Sequence, residues 1–343
     1  MPIANPIAGT LVFLLGGVAA ATYLLPFRAV KGWAYETGWL VSVLAGWLVF
    51  PLVFDAFVVP DFWGVIGAAS PFTLLLSFVF GALWGVGALC WALMVRYLGI
   101  GLGLGIGAGL CAATGTLLPK ICTGHAIELV ATPSARIVLF GVCIALVGIV
   151  AVGCAGRLKE NEMSDDDKKK AVAEFDFKKG LVTAVIAGVA SAGINFGLQG
   201  APELESAALA AGASPTWAGL PVLTVVLWGG LATQFAWVVA QHRKNRSFVD
   251  YAANPRPLNY LLSVSVGVIG VMQFVLQKAG EPLMGEFRYV SFAVLMSSAV
   301  FFSAILGIIL GEWKGTSCWT RALLSTGIVV LAVGFAVMAL GGK

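Results

Sequence analysis

Residues 37–58 read TGWLVSVLAGWLVFPLVFDAFV, and this run decides the class of fold. It carries one charge, Asp55. A helix rises about 1.5 Å per residue, so a run of this length spans the roughly 30 Å hydrocarbon core of a bilayer. Nine similar runs occupy approximately 6–25, 71–95, 98–118, 135–155, 180–199, 216–240, 258–277, 288–310 and 319–340. All are continuous rather than alternating, which predicts helices and not barrel strands. The first has no basic leader and continues into another span, so it reads as a span and not as a cleavable signal peptide.

Composition points the same way. The chain is 59% hydrophobic and 11% charged, with a mean hydropathy of +0.94. Soluble domains carry about 25% charged residues. This excludes an ordinary cytosolic enzyme, a nucleic-acid binder and a disordered chain. The six cysteines show no CxxC spacing and read as small buried hydrophobes. Cys122 and His125 form one CxxH pair with no second pair to complete a ligand set, so neither a metal nor a cofactor is expected.

The charged stretch 156–179 holds seven basic and seven acidic residues and divides the runs five and five. We therefore expect an all-α membrane protein with ten transmembrane helices as two inverted five-helix repeats. Residues 1–155 would form the first repeat, 156–179 a cytoplasmic linker and 180–343 the second repeat. Sixteen of the 21 Lys and Arg residues fall in the connections after runs 1, 3, 5, 7 and 9, counting Arg321 at the very start of run 10 with the last of them. The positive-inside rule then places those connections in the cytoplasm and both termini outside.

Polar residues within spans point to function, because burying them costs free energy unless they meet a partner or a cavity. Ser191, Asn195 and Gln199 recur every four residues and share one helix face, as do Gln273 and Gln277. Thr224, Trp228 and Gln234 lie on run 7, and Trp84 and Trp91 share a face of run 3. Amides that donate and accept, beside aromatic planes, suit a neutral polyol. The same residues also serve helix–helix bonding and interfacial anchoring, and the sequence leaves both readings open. The substrate-binding candidates are Trp84, Trp91, Asn195, Gln199, Gln234, Gln273 and Gln277. Glycine at every odd position from Gly99 to Gly109 provides close packing, or a bending element for alternating access.

Three carboxylates are candidates for ion coupling, with Glu36 ranked first, Glu312 second and Asp55 third. Asp55 has apolar neighbours on both sides, Glu36 opens run 2, and Glu312 closes run 9 with Lys314 nearby. No basic residue sits in mid-span, which argues against a phosphorylated or strongly acidic substrate. No Ser/His/Asp, Cys/His or paired-carboxylate constellation marks an enzyme, and no soluble domain supplies an ATP-driven engine.

Several stretches together resemble the bacterial L-rhamnose–proton symporter family of the drug/metabolite transporter superfamily. They are PFRAVKGWAYET at 26–37, FGALWGVG at 80–87, RYLGIGLGLGIG at 96–107 and AGRLKE at 155–160. EFDFKKGLV at 174–182, SAG at 191–193 and GEW at 311–313 follow. The resemblance implies a ten-helix inner-membrane carrier that takes up a 6-deoxyhexose with protons, and its pattern covers Glu36, Trp84, Gln273 and Glu312. Two positions depart from it. Ala88 stands where the family tends to show Asn, and Arg288 precedes Tyr289 where an acidic residue is expected. Both bear on which sugar is carried. Export or exchange of another small metabolite is the alternative function, and sodium the alternative coupling ion.

Overall fold

The computed structural model describes residues 4–98, 100–162 and 177–341. Gly99 and most of the expected linker 156–179 lie outside the described residues. Among those described, the secondary structure is helical, with no strand. Eight stretches are long and apolar enough to cross a membrane. One of them, Pro257–Ile309, contains two helices joined by a 3-10 turn, and the apolar part of another helix, Ile106–Cys122, is shorter than a span.

The principal helices are α1 (Pro6–Thr22), α2 (Tyr35–Val58), α3 (Pro71–Leu98), α4 (Ile100–Cys122) and α5 (Pro133–Glu162). They continue as α6 (Phe177–Ser191, extended by Gly193–Gln199), α7 (Leu220–Asn245), α8 (Pro257–Gly280), α9 (Ser291–Ile309) and α10 (Cys318–Gly341). Proline opens several of them, because the first turn has no intrahelical use for its missing N–H. The Asn5 side chain accepts from the Ala8 N–H at the start of α1. Within α2, Pro51 cannot donate to the helical ladder, and the turn before it, Ala45–Val49, widens to a π-turn.

Glycine sets the closest crossings. A Cβ at Gly81 would lie 1.9 Å from the Val226 carbonyl oxygen, and one at Gly229 would lie 1.9 Å from that of Phe78, so α3 and α7 cross backbone to backbone. The α2–α8 crossing repeats this with Gly46 and Gly267. In lipid, where apolar burial gives no preference for helix–helix contact, such close approach is a main source of association. Large apolar side chains such as Phe57, Phe140 and Trp319 stay exposed around the bundle, as lipid-facing residues must.

The connections after α1, α3, α5, α7 and α9 gather at one end. Trp33 donates to the Asn254 carbonyl, Arg28 pairs with Glu312, Ser317 donates to Glu162, and Lys179 lies over the Tyr97 ring. At the opposite end Asn5 donates to the Leu283 carbonyl, Ser70 to Glu203, and Arg288 to Glu205.

Candidate functional site

Four helices converge on a mixed aromatic and amide region. On α3, Trp84 lies against Trp47 of α2 (ring centroids 4.6 Å) and Phe274 of α8 (5.5 Å). Trp84 remains partly exposed inside the bundle. Phe274 and Gln277 sit one turn apart on α8. The helix α6 breaks at Ala192, and Gly193 lets it approach the backbone of α3 at Phe80 and Trp84. That break positions Asn195, whose amide donates to the Gly115 carbonyl of α4 at 2.5 Å and accepts from Gln277 at 2.9 Å. Both amides are fully buried. The Gln277 Oε1 is a buried acceptor without a donor.

The other sequence candidates divide by their partners. Trp91 donates its indole N–H to Ser191 at 2.8 Å, which ties α3 to α6. Gln234 spends both ends of its amide: it accepts from Trp39 and donates to the Gly85 carbonyl, each at 2.9 Å. This is a clamp among α2, α3 and α7. Gln273 is partly exposed and donates to the Gly270 carbonyl in its own helix. Gln199 holds a buried N–H group without a partner, and Trp228 does the same.

An ion cluster adjoins the amide pair at the end of α8, where one basic side chain, Lys278, is buried. Helix α8 runs past residue 277, which leaves Lys278 only 3% exposed. Its ammonium lies 2.5 Å from Glu281 and 3.9 Å from Glu205. Arg288 meets both Glu205 oxygens at 2.8 Å and Glu281 at 3.5 Å. Two cations and two carboxylates balance, so no net charge is left for an acidic substrate. Glu281 divides its oxygens: Oε2 faces the cations, while Oε1 accepts from Ser291 at 3.0 Å and from Gln277 at 3.4 Å. The departure at Arg288 thus places a cation between two acidic partners. A signal for Glu281 was present, since it extends the four-residue period of Gln273 and Gln277.

The three coupling candidates occupy different surroundings. Asp55 is 2% exposed and accepts from the Thr224 hydroxyl of α7 at 2.6 Å; no cation pairs with it among the described residues. Glu36 is buried and accepts from Asn245 (2.9 Å) and Ser247 (2.7 Å). Glu312 has its side chain 43% exposed and pairs with Arg28 at 3.2 Å, not with the nearby Lys314. Residues that the sequence reading passed over, His242 and Ser247, are buried beside Glu36. Among the described residues no cluster of His, Cys, Asp and Glu is arranged to hold a metal.

Comparison with known proteins identifies the class. The L-rhamnose-proton symport protein family matches residues 3–343. An L-rhamnose-proton symporter of Cronobacter sakazakii is 37% identical over 339 residues, 97% of each chain. Those of Salmonella paratyphi A and Salmonella newport are 35% identical over 334 residues, 96% of each chain. The match runs end to end through the helices that carry the aromatic and amide residues, and the chain belongs to the L-rhamnose-proton symport protein family, a family of transporters and not of enzymes.

Proposed function

We propose that this chain takes up L-rhamnose, or a related 6-deoxyhexose, together with protons across a bacterial inner membrane. The relatives' names support the substrate and the ion. The observation that carries the site is the buried Asn195–Gln277 pair beside the Trp84, Trp47 and Phe274 rings, with the Gln277 Oε1 left orphaned. A sugar hydroxyl would satisfy that oxygen, and the aromatic wall would cover the apolar C–H face and methyl group of a deoxy sugar.

The architecture in this reading is ten spans in two inverted repeats, 1–155 and 180–343, joined by 156–179. The packing supports it. Helix pairs exchange when each helix is replaced by the one five later: α3–α7 becomes α8–α2, and α3–α6 becomes α8–α1. Likewise α1–α9 becomes α6–α4, while α5–α10 maps onto itself. The glycine crossings of α3–α7 and α2–α8 follow the same exchange. The basic connections at one end support a cytoplasmic assignment there, with both termini periplasmic.

Proton coupling needs a titrating group that is not neutralised by a fixed cation. Asp55 meets that requirement best, and Glu36 is the second such group. Glu312, exposed and paired with Arg28, fits a structural tie. An ionised carboxylate held away from water without a cation costs several kcal/mol, so binding a proton at Asp55 changes which arrangement of α2 and α7 is stable.

The test is uptake of labelled L-rhamnose into proteoliposomes. An imposed pH gradient, acid outside, is expected to drive accumulation, and a sodium gradient is not. Accumulation driven only by sodium, or no entry of any 6-deoxyhexose, would reject the reading.

A further inference from the structure

At the end of the bundle that holds the basic connections, four side chains form a continuous chain. The Ser247 hydroxyl lies 2.7 Å from Glu36 Oε1 and 2.8 Å from His242 Nδ1. On the far side of the ring, His242 Nε2 lies 3.3 Å from the Tyr251 hydroxyl, which also lies 3.1 Å from the Thr37 carbonyl. Glu36, His242 and Ser247 are all buried.

Counting hydrogens limits what this chain can hold. Ser247 has one hydroxyl hydrogen for two neighbours. Tyr251 has one as well, and the Thr37 carbonyl can only accept. With the Tyr251 hydrogen on that carbonyl, Nε2 must carry its own. Two forms then satisfy Ser247. In one, Glu36 is protonated and donates to Ser247, which donates to Nδ1. In the other, Nδ1–H donates to Ser247, which donates to an ionised Glu36. The two forms hold the same number of protons and differ only in where the shared one sits. A third form holds one proton fewer: the Tyr251 hydroxyl turns from Thr37 to a bare Nε2.

We propose that Glu36, Ser247, His242 and Tyr251 are a proton relay that loads and releases the coupled proton at this end. This rests on the proton-symport reading above. Ser247 takes a proton from the Glu36 carboxyl as it gives its own to Nδ1. On release the Nε2–H bond breaks, a new bond forms on the Tyr251 oxygen, and the former Tyr251 proton passes to water. The Tyr251 hydroxyl then donates back to Nε2, which completes the balance. Burial pushes the Tyr251 phenol up to about 12, so it passes a proton on without standing ionised.

The surroundings match. Asn245 donates to Glu36 from the α7 terminus, and the Phe248 ring stacks on His242 at 4.3 Å. From α2, Thr37 donates to Asp250, which also accepts the Ala34 N–H. Tyr260 of α8 stands beyond Tyr251. Arg243, Lys244 and Arg246 are exposed.

The unmutated chain in proteoliposomes tests the symport reading by itself. The relay is tested in His242→Gln and Ser247→Ala, which remove the titrating ring and the bridge. Both are expected to lose accumulation driven by the pH gradient while still exchanging labelled for unlabelled sugar. Ser247→Thr, which keeps the hydroxyl, is expected to retain accumulation. Gradient-driven accumulation at the unmutated level in His242→Gln would overturn the relay. A second measurement does not need those variants to fold. In His125→Gln, His242 is the one remaining histidine, and its ring 15N signals report its protonation. The ring signals are expected to change with pH, and to change differently once Glu36→Gln removes the carboxyl that shares the proton. Ring signals unchanged by both pH and Glu36→Gln would overturn the relay as well.

Discussion

Replacing Gln277 by Leu separates sugar recognition from helix packing. In the empty protein the substitution removes the N–H that Asn195 Oδ1 accepts at 2.9 Å, which orphans a fully buried acceptor. It also removes the Gln277 Oε1, itself buried without a donor. Each orphan costs about 1–3 kcal/mol, so the two changes nearly cancel and the variant is expected to fold. They do not cancel on binding. A sugar hydroxyl that satisfies the Oε1 relieves that orphan and gains about 1–3 kcal/mol, which the Leu variant forgoes. The expected outcome is a Kd for L-rhamnose about five- to 150-fold higher, read by calorimetry on purified protein. Gln234→Leu is the control. Both ends of that amide are engaged by Trp39 and Gly85, so its loss is expected to lower the melting temperature and leave affinity in place. An unchanged Kd in Gln277→Leu, with a weakened one in Gln234→Leu, would refute the assignment.

Asp55→Asn keeps the Thr224 contact and removes the titration; it is expected to abolish accumulation under a pH gradient while sugar exchange persists, both measured in proteoliposomes. Gly229→Ala pushes a Cβ to 1.9 Å from the Phe78 carbonyl oxygen and is expected to destabilise the α3–α7 crossing by about 1–3 kcal/mol or more, seen as a lower melting temperature. Glu205→Arg and Arg288→Glu are each expected to impair transport by setting like charges together, and the double reversal to restore part of it, measured as uptake rates. A cysteine in place of Arg246, in a background lacking the native cysteines, is expected to resist an impermeant thiol reagent added outside intact cells, since residue 246 lies at the end assigned to the cytoplasm.

The spans were legible because a bilayer demands continuous apolar helices, and little else in a sequence looks like TGWLVSVLAGWLVFPLVFDAFV. Their ends were less so. The apolar run ends near 277 and α8 ends at Gly280, but the sequence does not show what Lys278 meets there. Its actual neighbours are Glu281, three residues on, and Glu205 from a distant segment. The pairs Gln273/Gln277 and Ser191/Asn195 were visible as a period, but a period cannot distinguish a cavity wall from a helix–helix bond. For Gln234 the deciding partner is the backbone carbonyl of Gly85, which leaves no trace in any side-chain pattern. The link between His242 and Ser247 was hidden for a similar reason. The chain reverses at Arg246 in the left-handed region, and that turn folds Ser247 back onto the helix it has just left.

One interface collects most of the titratable chemistry in this reading. Helix α2 meets α7 through Asp55 and Thr224 at one end, Trp39 and Gln234 in between, and Glu36 with Asn245 and Ser247 at the other end. The middle contact is neutral and uses groups that do not titrate near neutral pH. The end contacts each contain a buried carboxylate held by uncharged donors. A proton bound or lost at one end therefore changes the energy of that end alone, while the centre keeps its bonds. On α2, Trp39 lies one turn from Glu36 and far from Asp55, so such an interface favours separation at the Asp55 end, pivoting near Trp39 and Gln234. The π-turn Ala45–Val49 and Pro51 give α2 a weakened ladder between that pivot and Asp55. Trp47, in that same turn, touches Trp84 of the aromatic wall, so a shift in α2 is felt directly where the sugar is proposed to bind.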